Sequence, residues 1–319
     1  MPRTMTALFG GTGPDWEYRE APVPDPGPGQ VLVRTGAVAF NNADTAMLDA
    51  ADQYVAGFEF AGEIVAVGEG VRGPAVGERV MGTTPRSFAQ YVLADHRHVL
   101  LVPDGVGYEE AAALPTGLLT EHGALSAGSF QAGQSVLITA ASSGIGLIGV
   151  RIAKAIGAGM VIATTRSVAK RELLTRTGAD VVVVTDEQDL TQAVLEATGQ
   201  DGVDVVLDHV GGQTFADCLP ATRVDGHVVN IGRLGQARST IDLDALSYRH
   251  LRLRGVSFGF TRAAELGAVI AELTPQVLPA VADGRIRPVD TTLPFDQANT
   301  AAARLRTHQA HGKVVVSMP

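Results

Sequence analysis

The residues best placed for chemistry lie mid-chain. An apolar run, Ser135-Val-Leu-Ile-Thr-Ala140, leads into Ala141-Ser142-Ser143-Gly144-Ile145-Gly146, and apolar residues then recur at Ile145, Ile148, Ile152, Ala153 and Ile156 with helical spacing. A buried strand that turns directly into a helix aims free N–H groups and the positive end of the helix dipole at one point, which suits a diphosphate. Small residues at Ala141, Ser143 and Gly144 let an anion reach the backbone, and Gly146 lets the helix lie close to its strand. Ser142, Ser143, Gly144, Ile145 and Gly146 are therefore the expected dinucleotide loop. Gly144-x-Gly146-x-x-Gly149 fits the dinucleotide fingerprint literally, but Gly149 falls a turn inside the helix, so residues 141–146 are read as the working loop.

The end of the following strand selects the dinucleotide. NAD sites carry Asp or Glu about 20 residues past the glycines, on the ribose hydroxyls. Here residues 164–167 read Thr-Thr-Arg-Ser, with Lys170 and Arg171 one turn on. Thr165, Arg166, Ser167 and Lys170 offer hydroxyls and cations where a 2′-phosphate would sit. NADP(H) is the expected cofactor, and a solvated basic edge is the alternative.

The scaffold implied around this loop has two parts. From residue 135 onward strands (135–140, 160–165, 180–184, 203–207, 226–230 and 251–258) alternate with helical stretches (144–157, 168–177, 190–198 and 213–219), the pattern of a doubly wound parallel sheet of Rossmann type. The first hundred residues differ. Short strands at 31–35, 63–67 and 88–93 are set off by Gly and Pro, with Pro22, Pro24, Pro26 and Pro28 forming a stiff connector, which suggests a β-barrel-type domain. A long helix covers 263–281, and Gly312-Lys-Val-Val-Val-Ser317 reads as a strand returning to the first domain. The α/β chain is thus expected to divide into residues 1–117 with 257–319, and residues 118–256.

Of 319 residues, 45% are hydrophobic and 18% charged, enough apolar material for more than one core. The net charge of −9 argues against nucleic acid or anionic membrane surfaces as partners. The single cysteine, Cys218, excludes an internal disulfide and reads as a small buried hydrophobe. Residues 1–9 lack the apolar run of a secretory signal, and the apolar stretch 136–165 is broken by Ser142, Ser143, Arg151 and Lys154. A cytoplasmic, non-membrane protein is expected.

The turn Thr139-Ala-Ala-Ser-Ser-Gly-Ile-Gly146 is similar to that of short-chain dehydrogenases, but it lies mid-chain, and Tyr248 is followed at the fourth position by Arg252 rather than Lys. Further segments point elsewhere: Phe40-Asn-Asn-Ala-Asp44, Gly57-Phe-Glu-Phe-Ala-Gly62, Gly77-Glu-Arg-Val80, Phe88-Ala-Gln-Tyr91, Glu109-Glu-Ala-Ala-Ala-Leu-Pro115, Asp208-His-Val-Gly-Gly212, Asn230-Ile-Gly232 and Gly312-Lys-Val-Val315. Running in order across nearly the whole chain, they resemble the medium-chain dehydrogenase/reductase superfamily, in its branch of zinc-free quinone oxidoreductases and enoyl reductases. The resemblance implies a GroES-like catalytic domain beside the Rossmann domain. It places Asn41 and Thr120 near the nicotinamide, Val210 and Gly211 by its ribose, Asn230, Ile231, Gly232 and Arg233 along the dinucleotide, and Lys313 toward the cofactor. Asp44 either orients a proton source or caps the helix beside it, Tyr54 packs, and Glu121 forms a surface or domain-seam salt bridge, with acid–base help the lesser reading.

At the positions of the superfamily's catalytic zinc ligands stand Asn41, Phe58 and Thr116, leaving only Glu59. A catalytic zinc needs about three protein ligands, so no metal is expected. His96 and His98, like His308 and His311, read as solvated surface histidines. Without a Lewis acid, hydride transfer suits a conjugated acceptor whose charge spreads into an enolate or phenolate. The expected function is NADPH-dependent reduction of a quinone or an α,β-unsaturated carbonyl, with Asn41, Asp44 and Thr120 in the chemistry. The alternatives are an NADPH-binding protein with little turnover, of crystallin type, and a zinc-type alcohol dehydrogenase. The strand at 251–258 would be an exposed sheet edge in a monomer; together with the resemblance, this implies a homodimer.

Overall fold

Pro24, Pro26 and Pro28 have no N–H to give a ladder, and the chain accordingly enters its main sheet only at Gln30. The computed structural model describes residues 2–11, 13–48, 52–257, 263–307 and 310–319. In chain order, the first elements are β1 (Thr4–Gly10), β2 (Glu17–Pro22), β3 (Gln30–Phe40), α1 (Asn42–Ala46), β4 (Tyr54–Val55), β5 (Glu59–Val67), β6 (Arg79–Thr83), β7 (Tyr91–Asp95), β8 (Val99–Leu101) and α2 (Tyr108–Ala112). Next come α3 (Pro115–Ala127), β9 (Ser135–Ile138), α4 (Gly144–Ala155), β10 (Met160–Thr165), α5 (Arg171–Thr177), β11 (Val181–Val184), α6 (Leu190–Ala197), β12 (Val203–Asp208), α7 (Gly212–Cys218), β13 (Thr222–Asn230), α8 (Leu243–Tyr248) and β14 (Arg252–Gly255). The chain closes with α9 (Ala263–Ala282), β15 (Val289–Pro294), α10 (Ala298–Arg306) and β16 (Lys313–Ser317).

Two compact units result: Met1–Thr116 with Gly259–Pro319, and Gly117–Phe258. In the first, a seven-stranded sheet runs β15-β16-β3-β5-β6-β8 with β7 also on β3, and β2-β1-β4 form a second sheet. β3 is long enough to pair β7 along residues 30–34 and β16 along 37–40. Phe40 packs against Trp16 and Phe88 with ring centroids 5.1 and 4.6 Å away, at the heart of this unit's core. β16 runs antiparallel to β3, with Val314 opposite Phe40. The last strand therefore returns to the first domain as expected, and that register sets Lys313 beside Asn41.

In the second unit six strands run in the order β11-β10-β9-β12-β13-β14, every pair parallel. This is the doubly wound Rossmann order, whose crevice opens where the order reverses, between β9 and β12. Several details depart from the pattern expected from sequence, among them a β13 that begins at Thr222 and the helix α8. β9 ends at Ile138 rather than residue 140, because Ala140 takes a left-handed φ of 47° and its N–H turns to the Thr164 hydroxyl. The helix expected at 168–177 begins as a 3₁₀ turn, Val168–Lys170. The edge strand β14 covers Arg252–Gly255, all four residues exposed, and Phe258 lies outside the described residues. Among the described residues no helix is long and apolar enough to cross a membrane.

The first unit's sheet closes tightly at Gly62, where an added Cβ would fall 2.1 Å from the Arg34 carbonyl oxygen across the β3–β5 ladder. Backbone cannot yield there as a side chain would. Gly62→Ala should destabilise this unit by about 1–3 kcal/mol in denaturant unfolding, and an unchanged midpoint would contradict this packing.

Candidate functional site

The expected dinucleotide loop is built from β9, β10 and the first turn of α4. Ala140 and Ala141 are held by Thr164, whose hydroxyl accepts from Ala140 N–H at 3.1 Å and whose carbonyl accepts from Ala141 N–H at 2.9 Å. The Ser143 hydroxyl caps α4 by accepting from Gly146 N–H at 3.1 Å. The N–H groups of Gly144 and Ile145 have no acceptor within a helix that begins there. Gly146 is a true close approach: a Cβ would sit 2.6 Å from Ala141 Cα. The loop thus has the small-residue cradle and free donors that a diphosphate needs.

Not every expected ligand faces outward. Thr165 is 4% exposed; its hydroxyl meets Ser142 Oγ at 3.2 Å and accepts from Ser167 N–H at 3.3 Å, so it holds the loop rather than facing a phosphate. Arg166 and Ser167 are exposed and Lys170 half-buried. Arg171 donates to the Val182 carbonyl at 3.1 Å and is spent on the fold. Residues 164–167 place no carboxylate at the end of β10.

Asp208 is the residue that sequence reasoning undervalued. Fully buried at the end of β12, it accepts from Thr139 Oγ1 at 2.9 Å, from Val210 N–H and Gly211 N–H at 3.0 Å each, and from Asn230 Nδ2 at 2.9 Å. Its carbonyl accepts from Ile231 and Gly232 N–H at 2.7 and 3.1 Å. One residue, through its side chain and its carbonyl, therefore ties together the segments of Val210–Gly211 and Asn230–Gly232. The Asn230 amide, expected to face the dinucleotide, is turned inward by this bond. Gly211 has φ 72°, and a Cβ there would meet the Gln236 carbonyl oxygen at 2.3 Å. A cavity of about 310 Å³ beside it is lined by Gly211, Asn230, Arg233, Arg254 and Gly255. Its visible signal was an Asp closing an apolar strand just before two glycines.

Thr120 lies half-buried on α3. Its neighbour Glu121 does form a salt bridge, but not at the surface: it has no exposure and its Oε1 lies 3.0 Å from His209 Nε2. Cys218 is buried, as expected.

The first unit gathers a separate polar cluster. Glu59, fully buried, accepts from Asn41 Nδ2 at 3.0 Å and from Thr116 N–H at 2.9 Å, and forms an ion pair with Lys313. Lys313 also donates to Asn41 Oδ1 at 2.7 Å. Lys313 is 3% exposed. The ammonium pairs with Glu59 and donates to Asn41, as a buried charge needs a counter-charge. Asp44 Oδ2 accepts from Asn41 N–H at 2.7 Å, the capping geometry of α1. Burial, reinforced by the Glu59 charge and only partly offset by the Asn41 hydrogen bond and Lys313, raises the Asp44 carboxyl to about 7. Tyr54 sits on β4, paired with β1 over Gly10. His96 and His98 are not solvated as expected: their rings bond the carbonyls of Gly29 at 2.8 Å and Ala263 at 2.9 Å. His308 lies outside the described residues, and among those described no group of three or more His, Cys, Asp or Glu is arranged to hold a metal.

Comparison with known proteins fits both units. Residues 27–121 match the alcohol dehydrogenase GroES-like domain, and residues 144–274 match the zinc-binding dehydrogenase family. A mycobacterial quinone oxidoreductase structure is 30% identical over 98% of this chain and 99% of its own, with a TM-score of 0.87. The chain belongs to the medium-chain dehydrogenase/reductase superfamily. Within it, a second mycobacterial structure, solved with NADPH, is also 30% identical over 98% of this chain and 99% of its own, with a TM-score of 0.83. The CurK enoyl reductase structure is 26% identical, over 99% of each chain, at a TM-score of 0.84. The polyketide synthase protein NorB of Streptomyces orinoci is 32% identical over 92% of this chain, which spans 13% of NorB's length.

Asp44 carries a pH signature for this superfamily member. A carboxyl raised from 3.8 to about 7 favours the fold most below its unfolded value and loses that contribution as pH climbs through its folded one. Asp44→Asn keeps an oxygen for the Asn41 N–H and cannot ionise. Its melting temperature relative to the unsubstituted protein should rise between about pH 4 and pH 8 and then level off. A constant difference across that range would show that Asp44 does not titrate there.

Proposed function

We propose that this protein is an NADPH-dependent reductase that delivers hydride to a quinone or an α,β-unsaturated carbonyl without a metal ion. The observation that carries the reading is the end of β10, where exposed Arg166 and Ser167, with half-buried Lys170 following, flank a small-residue loop and no carboxylate is present. A carboxylate there would repel a 2′-phosphate; a guanidinium and an ammonium attract it. The NADPH-bound mycobacterial relative supports the same cofactor.

The residues fit this dinucleotide. The cradle that a Cβ at Gly146 would fill and the N–H groups of Gly144 and Ile145 suit the diphosphate. Val210 and Gly211, held by Asp208, suit the ribose. A zinc ion does not fit. Glu59, the one carboxylate at the corresponding positions, is ion-paired with Lys313, and Asn41, Phe58 and Thr116 add no thiolate or imidazole.

NADPH, when bound, supplies the hydride. This chain's residues must then orient the acceptor and handle a proton. Asn41 and Thr120 are the polar side chains assigned to the nicotinamide and acceptor. Asp44, raised to about 7, holds a proton near neutrality and is assigned to proton supply through its cluster. Conjugation lets hydrogen-bond donors meet the developing negative charge, which a simple ketone would concentrate on one oxygen. Quinone oxidoreductase and enoyl reductase relatives support this acceptor class.

The decisive experiment compares NADPH with NADH by calorimetry and turnover, using quinones, enones and enoyl thioesters. Replacing Arg166 and Lys170 together by Ala should weaken NADPH binding about 10- to 100-fold, the worth of one or two charge-assisted hydrogen bonds, and leave NADH binding unchanged. Equal affinity for both nucleotides in the parent protein would overturn the 2′-phosphate assignment. Tight NADPH binding with no turnover would favour a low-turnover binding protein, and zinc-dependent activity an alcohol dehydrogenase.

We further propose that β14, with all four residues exposed, pairs with a second copy. Light scattering at micromolar concentration should give twice the 33.2 kDa chain mass; a single chain's mass would remove this proposal.

A further inference from the structure

Glu121 and His209 form a buried pair that neither the nucleotide loop nor the Lys313 cluster uses. Glu121 has no exposure, His209 is 5% exposed, and Oε1 and Nε2 are 3.0 Å apart. The pair sits where α3, α4 and the segment after β12 meet. On α4 the residue at that level is Gly149, where a Cβ would fall 2.2 Å from Glu121 Oε2. The glycine that completes the literal fingerprint therefore serves to admit a carboxylate.

His209 is also fixed through its backbone. Its N–H donates to Thr139 Oγ1 at 2.8 Å, and its carbonyl accepts from Leu234 N–H at 3.1 Å. Val210 and Gly211, the ribose residues of the proposed function, follow directly. A shift of the His209 backbone would therefore act on the residues that follow it directly.

The charged groups acting on the imidazole are Glu121 from α3 and Asp208 at the end of β12; α3 also carries the buried His122, while β9 contributes Thr139 and α4 contributes Gly149, neither ionisable. Burial disfavours the imidazolium, but the Glu121 and Asp208 charges outweigh it, so His209 titrates above its ordinary value. Loss of that proton would leave the Glu121 carboxylate buried without a counter-charge, a state that forces rearrangement.

We infer that Glu121 and His209 are positioning residues for the cofactor: the charged pair sets the Val210–Gly211 segment, and NADPH affinity falls when the pair is neutralised. This rests on the reading that NADPH is the cofactor and that its ribose lies on Val210–Gly211. A residue that merely supported the fold would change affinity equally at every pH, whereas this pair predicts a pH dependence that moves with the carboxylate.

The test measures NADPH dissociation constants by calorimetry between about pH 6.5 and 9.5 for the parent protein, Glu121→Gln and His209→Gln, with melting temperatures alongside. The parent should lose affinity on the alkaline side. Glu121→Gln should bind about tenfold more weakly at pH 8 and show its loss at lower pH, since removing the carboxylate lowers the imidazole's pKa. His209→Gln should bind weakly with no alkaline loss. A parent profile flat from pH 7 to 9.5 overturns the inference even if neither variant folds, and so does a Glu121→Gln profile that coincides with the parent's. Absence of NADPH binding by the parent at every pH would instead sink the cofactor reading on which the inference stands, and the inference with it.

Discussion

A carboxylate taken out of water must find hydrogen bonds for its lone pairs, and Asp208 finds them in the segments around the expected dinucleotide crevice. Thr139 reaches it from the end of β9, Val210 and Gly211 from the turn into α7, and Asn230 from the end of β13. These donors come from three adjacent strands of the parallel sheet. Together they leave neither carboxylate oxygen unpaired, which a buried site could hardly bear. The geometry of the crevice is therefore a property of one side chain's coordination as much as of the sheet itself. The Gly211 backbone, left-handed and pressed against the Gln236 carbonyl, is what this coordination demands of the chain.

The same constraint explains which parts of the molecule could be read from residue order. The parallel sheet was open to that reading because β9, β10, β11 and β12 are mostly apolar, and burial on both faces leaves such a pattern. The cradle at Gly146 was readable because its requirement, helix against strand, is local in sequence. Side-chain direction was not. Residue order assigns Asn230, Lys313 and Thr165 to the cofactor but does not show the partners they hold, which are distant in the chain: Asp208, Glu59 with Asn41, and Ser142. Nothing in spacing reveals that a polar group's partner lies more than 20 or 200 residues away.

Gly149 shows how a pattern can be right in letters and wrong in purpose. In the literal fingerprint it is the third glycine, and the pattern predicts close helix–strand packing. Its Cα instead faces Glu121. The acidic residue on α3 and the missing side chain on α4 are two halves of one solution, and each looks anomalous alone. Glu121, fully buried, then requires His209, since Gly149 offers no side-chain counter-charge to a carboxylate. An acidic residue in a helix, a glycine in the next and a histidine after a strand become one constraint once the fold brings them together.

The first unit solves its charge problem differently, and the difference bears on chemistry. Lys313 arrives on a strand whose register against β3 is set by Val314 opposite Phe40, in the wall of the aromatic core. The ammonium's place beside Glu59 is therefore fixed by core packing. An ammonium can donate hydrogen bonds but has no vacant coordination position, so it cannot polarise a bound oxygen as a metal would. With Lys313 and Glu59 compensating each other, a second negative charge at Asp44 is unwelcome, and burial keeps that carboxyl protonated to about 7. The cluster is therefore most stable with one proton more than two ionised carboxyls would carry. Under the function proposed above, that preference would suit substrates that disperse negative charge through conjugation and then need a proton.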